Sequence, residues 1–465
     1  MTLPPEDALR DLSRDDLIAL ILRLAADVQR LEAEVQRLQA EVDRLKKPPT
    51  TSQNSSQPPS RDWKQNASGR KRHRKTGAKP GHAQAQRPLV DNPTTVIEAR
   101  VSHCAACGAN LQRVKPQRVL RRQITELPEI TPVVIETQQH EVECPCCHSL
   151  QRGVLPDGLE AQRQFGPRLE SALTYFHHEQ HMGFERLRQT MSDVFGVAVS
   201  EGGEVAVLER AGEAALPEAE AIGAAVRQSA VIGSDETSVR VHGRNWWEWV
   251  FVSDAGEYHL IRPSRGFDVV EAFMGDTQAE VWVSDCWKPQ LRAPARMHQL
   301  CLPHQIRNLQ GLIDKRPHLR WAREMQALFR AAVHLDHRRD ALTEWGFQRQ
   351  VCCLEERLDR LLARPLTGKT ALNLLERYRT HRHHLFVFLH RADVPADNNA
   401  CERALRPSVI HRKVMGSFRS EWGPRAYAAL AAVLNTAKRK GENVFQKLVS
   451  LMGKPILHYL NPSFA

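Results

Sequence analysis

The sequence predicts a multidomain protein centred on an α/β core, and three observations predict it. Apolar residues repeat every seven positions over residues 17–45. Two Cys-x-x-Cys pairs stand with 36 residues between them, and from Ser229 the pattern changes from helical to strand-like. At 465 residues the chain has room for about three units of roughly 150 residues each. Lys and Arg outnumber Asp and Glu by 65 to 54, a net charge of +11, which points to a polyanionic partner. No apolar run approaches the ~20 residues of a bilayer span, so no membrane partner is expected. Glu6, Asp7 and Asp11 are unlike the basic start of a secretory signal. The ten cysteines are therefore read in a reducing cytoplasm, where close pairs bind metal more often than they form disulfides.

Residues 13–47 read as a coiled coil. Leu17, Leu24, Leu31, Leu38 and Leu45 share one heptad position; Ile21, Val28, Val35 and Val42 share the other. β-branched residues at a and Leu at d favour a parallel two-stranded seam, hence at least a dimer. The plainer reading is one amphipathic helix packed on the body, but the stripe is narrow enough for a seam. Residues 48–92 carry few core-forming side chains and read as a disordered basic linker. Its Arg70, Lys71, Arg72, Arg74 and Lys75 suit sequence-independent contact with DNA phosphates.

Residues 93–156 read as a zinc-binding ribbon. Cys104, Cys107, Cys144 and Cys147 supply four thiolates for one structural Zn²⁺, which leaves no open position for catalysis. The β-rich stretches Arg118 to Glu126 and Thr131 to Glu143 predict a hairpin between the two knuckles. Residues 157–228 read as helical. In that segment 193–200 followed by 201–212 admits a helix-turn-helix and, equally, a plain packing unit.

The core itself is expected to be ribonuclease-H-like. Three antiparallel strands, a helix and two further strands fill residues 229–315, then a helical insertion spans 316–395 and a catalytic helix lies within 396–440. A C-terminal tail, 441–465, closes the chain. In such a core the first carboxylate lies on strand one and the second at the end of strand four, the places of Asp235 and Asp285. A third is expected from a later helix, where Asp397 stands at the start and Glu402 one turn inside. Carboxylates so placed suit two Mg²⁺ ions, with Mn²⁺ able to substitute, in phosphodiester chemistry. Any one acid of 54 is more simply a solvated charge; the argument rests on their joint placement. Asn398 and Asn399 are candidates for orienting Glu402, with helix capping as the simpler role. Arg403, Arg406, Arg412, Lys413 and Arg419 form a track suited to phosphates.

The residues also resemble the insertion-sequence-66 family of bacterial transposases across nearly the whole length. The resemblance rests on Asn54-Ser-Ser-Gln-Pro-Pro-Ser60, the paired knuckles, Ser234-Asp-Glu-Thr237, Asp285 and Cys301-x-x-His304. Asp397-Asn-Asn-x-x-Glu-Arg403 and Arg412-Lys-Val-x-Gly-Ser-Phe-Arg-Ser420 are its longest motifs. It implies a DDE transposase with Asp235, Asp285 and Glu402 as the metal-binding triad, acting on double-stranded DNA at terminal inverted repeats and at a target. It also implies small accessory proteins encoded by the same element and a cytoplasmic, nucleoid-associated location. Such proteins usually follow the second Asp with Gly-Tyr, where this chain has Cys286-Trp287. The alternative is a non-catalytic DNA-binding or regulatory protein derived from a transposase.

Overall fold

The computed structural model describes residues 13–45, 87–156, 159, 163–453 and 456. The expected basic linker residues Arg70, Lys71, Arg72, Arg74 and Lys75 lie outside the described residues. The chain divides into two compact units: Met1–Trp63, Thr137–Leu187 and Ser200–Ala465 form one, and Lys64–Glu136 with Arg188–Val199 form the other.

Helix α1 spans Arg14–Leu45. Ser13 caps it, its Oγ accepting the Asp16 N–H at 3.2 Å and donating to the Asp16 carboxylate at 2.6 Å. Ile21, Leu24, Val28, Leu31, Val35 and Leu38 all remain exposed along one stripe.

In the smaller unit, residues 118–126 and 131–136 are extended without ladder partners, so the hairpin expected between the knuckles is absent there. The reason is local. Gln123 serves the Val90 backbone through its side chain, accepting from the N–H at 2.7 Å and donating to the carbonyl at 2.6 Å. No apolar face backs the alternation, because Ile124 and Leu127 point into solvent.

The larger unit contains a short hairpin, β1 (Glu141–Glu143) with β2 (Leu150–Arg152), that holds the second Cys pair in its loop. Helix α2 (Pro167–Thr174) follows, while α3 (Phe184–Phe195) crosses the unit boundary. Helix α4 (Glu201–Arg227) begins at Ser200, whose hydroxyl accepts the Gly203 N–H at 3.1 Å. A groove-reading helix needs an exposed, cationic face. Helix α4 instead carries six glutamates against two arginines and buries Val207, Leu208, Ala211, Ala215, Ala219 and Val226. It is a core helix.

The central sheet has five strands: β3 (Val231–Val241), β4 (Arg244–Ser253), β5 (Gly256–Arg262), β6 (Ala279–Ser284) and β7 (Ala295–Leu300). Their order is β5-β4-β3-β6-β7. The first three are antiparallel, and β6 and β7 run parallel to β3. Helix α5 (Phe267–Met274) makes the crossover from β5 to β6. This matches the order read from the sequence.

Alternation sorts the core. Trp249, Phe251 and Trp282 pack with α4, α5 and α12 (Trp422–Arg439), while Val250 and Val252 take Cys401, Ala404 and Leu405 from the opposite face. Those last three belong to α11 (Asn399–Met415). Helices α4 and α12 approach closely enough that a Cβ at Gly212 would lie 2.2 Å from the Ala426 Cβ. The insertion, α7 (Arg320–Asp336), α8 (Glu344–Leu362), α9 (Lys369–Thr380) and the single turn α10 (Val387–His390), packs with α6 (Leu302–Lys315) of the preceding segment around a second core. That core joins the sheet at Val281, Val283 and Leu300. The expected tail is in part structural: α13 (Val444–Met452) buries Leu448, Val449 and Met452, and Lys447 pairs with Glu218 at 2.6 Å.

Candidate functional site

The register of β3 with β6 sets the site. Gly233 pairs with Val283 at the end of the β3–β6 ladder; Asp235 lies two residues further along β3 and Asp285 just past the end of β6, near enough for its charge to act on Asp235. Burial holds the Asp235 carboxyl well above the ordinary carboxylate range, and Glu236, Asp285 and Glu402 push the same way. The hydrogen bond that reaches this carboxylate is the Glu236 N–H at 2.9 Å. Glu402, one turn inside α11, accepts from Arg307 of α6 at 3.2 Å and lies 3.8 Å from His304 Nε2. Among the described residues these carboxylates do not form a group of metal-holding spacing. Their electric fields meet at Asp235, while Glu402 leans toward Arg307.

Helix α11 is fastened to β3 beside Asp235. Asn398 donates from its amide to the Ser234 carbonyl at 2.8 Å, and its N–H points to Cys301 Sγ at 3.3 Å. The fit is tight at Gly233, where a Cβ would stand 3.0 Å from Cys401 Sγ and 3.2 Å from Asn398 Oδ1. Asn398 thus fastens the start of α11 to β3, whereas Asn399 donates its N–H and amide to the Asp397 carboxylate at 2.9 and 2.6 Å, so that Asp397 closes the turn. Cys301 also bonds His304 Nδ1 at 3.1 Å, and burial pushes its thiol up to about 12. It is a packed cysteine.

The two Cys-x-x-Cys pairs fold into the same local turn. The Cys104 carbonyl accepts the Gly108 N–H and its N–H meets the Ala109 carbonyl, both at 2.9 Å. Cys144 makes the matching bonds with His148 and Ser149, again at 2.9 Å. The left-handed position is Gly108 in one turn (φ +73°) and His148 in the other (φ +56°). Backbone N–H groups of Ala106 and Cys107 lower the Cys104 pKa, and Ser149 lowers that of Cys147. Both turns favour the thiolate that zinc requires.

The sequence profile of the transposase IS66 family matches residues 162–426, more than half of the chain and all three carboxylates. The chain belongs to the transposase IS66 family. A second profile, the zinc-finger binding domain of transposase IS66, matches residues 102–148 and includes both cysteine turns. Residues 1–88 match a family of unknown function. A comparison with curated proteins finds no match.

This IS66-family chain also holds functional candidates that residue spacing did not reveal. Arg307 sits one turn past His304 on α6, so Cys301-x-x-His304-x-x-Arg307 carries a usable helical signal. Arg265 and Gln290 carry none, since each meets Glu236 only through the sheet. The basic track divides in two. Arg403, Arg406, Lys413 and Arg419 are exposed, but Arg412 turns inward to Thr237 Oγ1 at 3.2 Å and to the Ser238 carbonyl. Arg412 therefore ties α11 to β3 rather than facing phosphate. Phe418 continues the tie through its N–H to the Arg240 carbonyl at 2.9 Å and its carbonyl from the His242 N–H at 2.9 Å. Among the described residues no helix is long and apolar enough to cross a membrane.

Proposed function

We propose that this chain is a DDE transposase with a ribonuclease-H-like core, which cuts the ends of a mobile element and joins the freed 3′-hydroxyl to target DNA. One observation carries the reading. Asp235 is a half-buried carboxylate near Asp285, its charge opposed by burial and by three other acids; among the described residues its hydrogen-bond donor is a backbone N–H and no cationic side chain pairs with it. A crowded acid of this kind is costly unless a cation compensates it.

The donor set fits magnesium, since all three candidates are hard oxygen ligands. Asp235, Asp285 and Glu402 would hold it. When bound, Mg²⁺ supplies a lowered pKa for the attacking water or 3′-hydroxyl and charge stabilisation for the leaving oxygen. The chain's own residues prepare the site. Asn398 and Gly233 seat α11, Arg307 holds Glu402, and Arg403, Arg406, Lys413 and Arg419 offer positive charge to the DNA backbone.

Structural zinc at Cys104, Cys107, Cys144 and Cys147 would organise the finger that contacts DNA. The exposed stripe of α1 supports pairing of two chains as a coiled coil. Terminal inverted repeats as the bound sequence, and the cytoplasm as the place of action, belong to the same reading. The test is strand cleavage and joining on DNA carrying the element's ends, with Mg²⁺ or Mn²⁺. Activity in the unaltered protein that Asp235→Asn abolishes supports the reading, and unchanged activity in that variant refutes it.

A further inference from the structure

Opposite Asp235, on the other face of β3, lies a buried polar cluster that the three-carboxylate reading leaves unused. Glu236, 2% exposed, accepts from Arg265 Nε at 2.9 Å and Nη2 at 2.7 Å, and also from the Gln290 amide. Gln290 is fully buried and accepts from Ser234 Oγ at 3.1 Å; that hydroxyl in turn accepts from Trp282 Nε1 at 2.9 Å. The Arg265 guanidinium is shared by two indoles, with its Cζ 4.5 Å from the Trp247 ring centre and 4.3 Å from that of Trp287. Trp287 closes the chain of contacts, because its N–H donates to Asp285 Oδ1 at 2.9 Å.

The sheet does not hold Asp285 itself. Pairing of β6 ends at Val283 on the β3 side and at Ser284 on the β7 side. Beyond that point, the Trp287 carbonyl accepts the N–H groups of Gln290 and Leu291 at 3.0 and 3.1 Å, which makes residues 287–291 one compact turn. Gln290 anchors that turn from below and Arg265 clasps its indole. We propose that Arg265 is a positioning residue that fixes the Asp285 carboxylate relative to Asp235 by clamping Trp287, an inference resting on the three-carboxylate reading above. Arginine suits the task and lysine does not. A planar guanidinium offers two faces to indoles while its edge pairs with a carboxylate; an ammonium offers neither plane nor fork. The cluster thus converts a strand's exit loop into a rigid mount.

The experiment uses the full chain and three variants: Arg265→Lys, Trp287→Ala and Trp287→Phe. Trp287 is 37% exposed, outside the buried core, and matched thermal unfolding checks that its variants keep the fold. Two readouts are taken: Mn²⁺ binding, from the electron paramagnetic resonance signal of the free ion, and the Mg²⁺ dependence of cleavage. Losing a residue that orients a ligand typically weakens metal affinity about 10–100-fold, and Arg265→Lys and Trp287→Ala are expected in that range. Trp287→Phe keeps a ring for the guanidinium and should restore most of the affinity, while DNA-end binding stays level throughout. Folded Arg265→Lys and Trp287→Ala proteins with unaltered Mn²⁺ binding and Mg²⁺ dependence would overturn the clamp. An Asp235→Asn protein run alongside separates the two ideas: if it still cleaves, the three-carboxylate reading is what has failed.

Discussion

The cysteine-turn region and the sheet reach order by opposite means. Between residues 93 and 156, apolar side chains lie open to solvent: Ile124 and Val154 are each 96% exposed. In the sheet, Trp249, Phe251 and Trp282 are fully buried, and the surrounding helices cover both faces. A segment without a core has little burial to offset its conformational entropy, so its fold depends on a ligand. The sheet needs none. On the proposed reading, metal would play two unrelated parts here, as a fold-maker at the thiolates and as a reagent at carboxylates the fold has already placed.

The largest effect that would break this contrast is zinc removal. Structural zinc in small fingers is worth about 10–16 kcal/mol, so chelation or Cys104→Ser should unfold residues 93–156. Hydrogen exchange should then show lost protection in that segment and an unchanged cooperative transition in the sheet. A sheet that melts with the finger would show that the two are not independent.

Next come Asp235→Asn, Asp285→Asn and Glu402→Gln, each expected to lower cleavage by about 10³-fold or more, the equivalent of some 4 kcal/mol. Asp235→Asn should leave thermal stability equal or higher, because it removes a charge that burial opposes. Calorimetry showing a large loss instead would mean that the carboxylate is structural.

The same contrast is sharpened by a pair of truncations. Phe329, fully buried in the insertion core, should cost about 3–5 kcal/mol as Phe329→Ala, whereas Ile124→Ala should stay within about 0.5 kcal/mol. Denaturant titration decides between them.

The smallest effect is that of pH on the sheet side. Burial presses on His259, but hydrogen bonds to Glu248 and Glu257 outweigh it and hold the imidazolium up to about 9. A raised folded-state pKa contributes stability that is complete below pH ~6.5 and lost as pH climbs through 9. Burial and neighbouring histidines press His177 down to about 4 and His411 down to about 2. Their contribution is present above pH ~6.5 and fades as pH falls. Thermal midpoints should therefore peak near pH 6.5–7 and decline on both sides. His259→Gln should flatten the alkaline limb.

Much of the sheet was legible because its strands alternate and its turns carry Gly243 and Gly256. Asp235 and Asp285 were legible for the same reason, since an acid inside one apolar strand and another just past the end of a second stand out. What escaped were partners that only topology creates. Glu236 points away from Asp235 as alternation requires, yet its engagement by Arg265 and Gln290 depends on how α5 and the β6–β7 loop return to β3. Arg412 reads like any other basic residue until α11 lies across Thr237. The missing hairpin shows the converse: β-rich composition predicts strands, but strands need a face to bury and the finger has none.

The bond from the Asn398 amide to the Ser234 carbonyl spans 164 positions of sequence. At about 5–20 residues per second, ribosomal synthesis puts the two groups roughly 8–33 s apart. Throughout that interval the growing polypeptide carries Asp235 and then Asp285 but has no Glu402 to complete the set. On the proposed reading, a nascent chain would therefore stay inactive until Glu402 has been made.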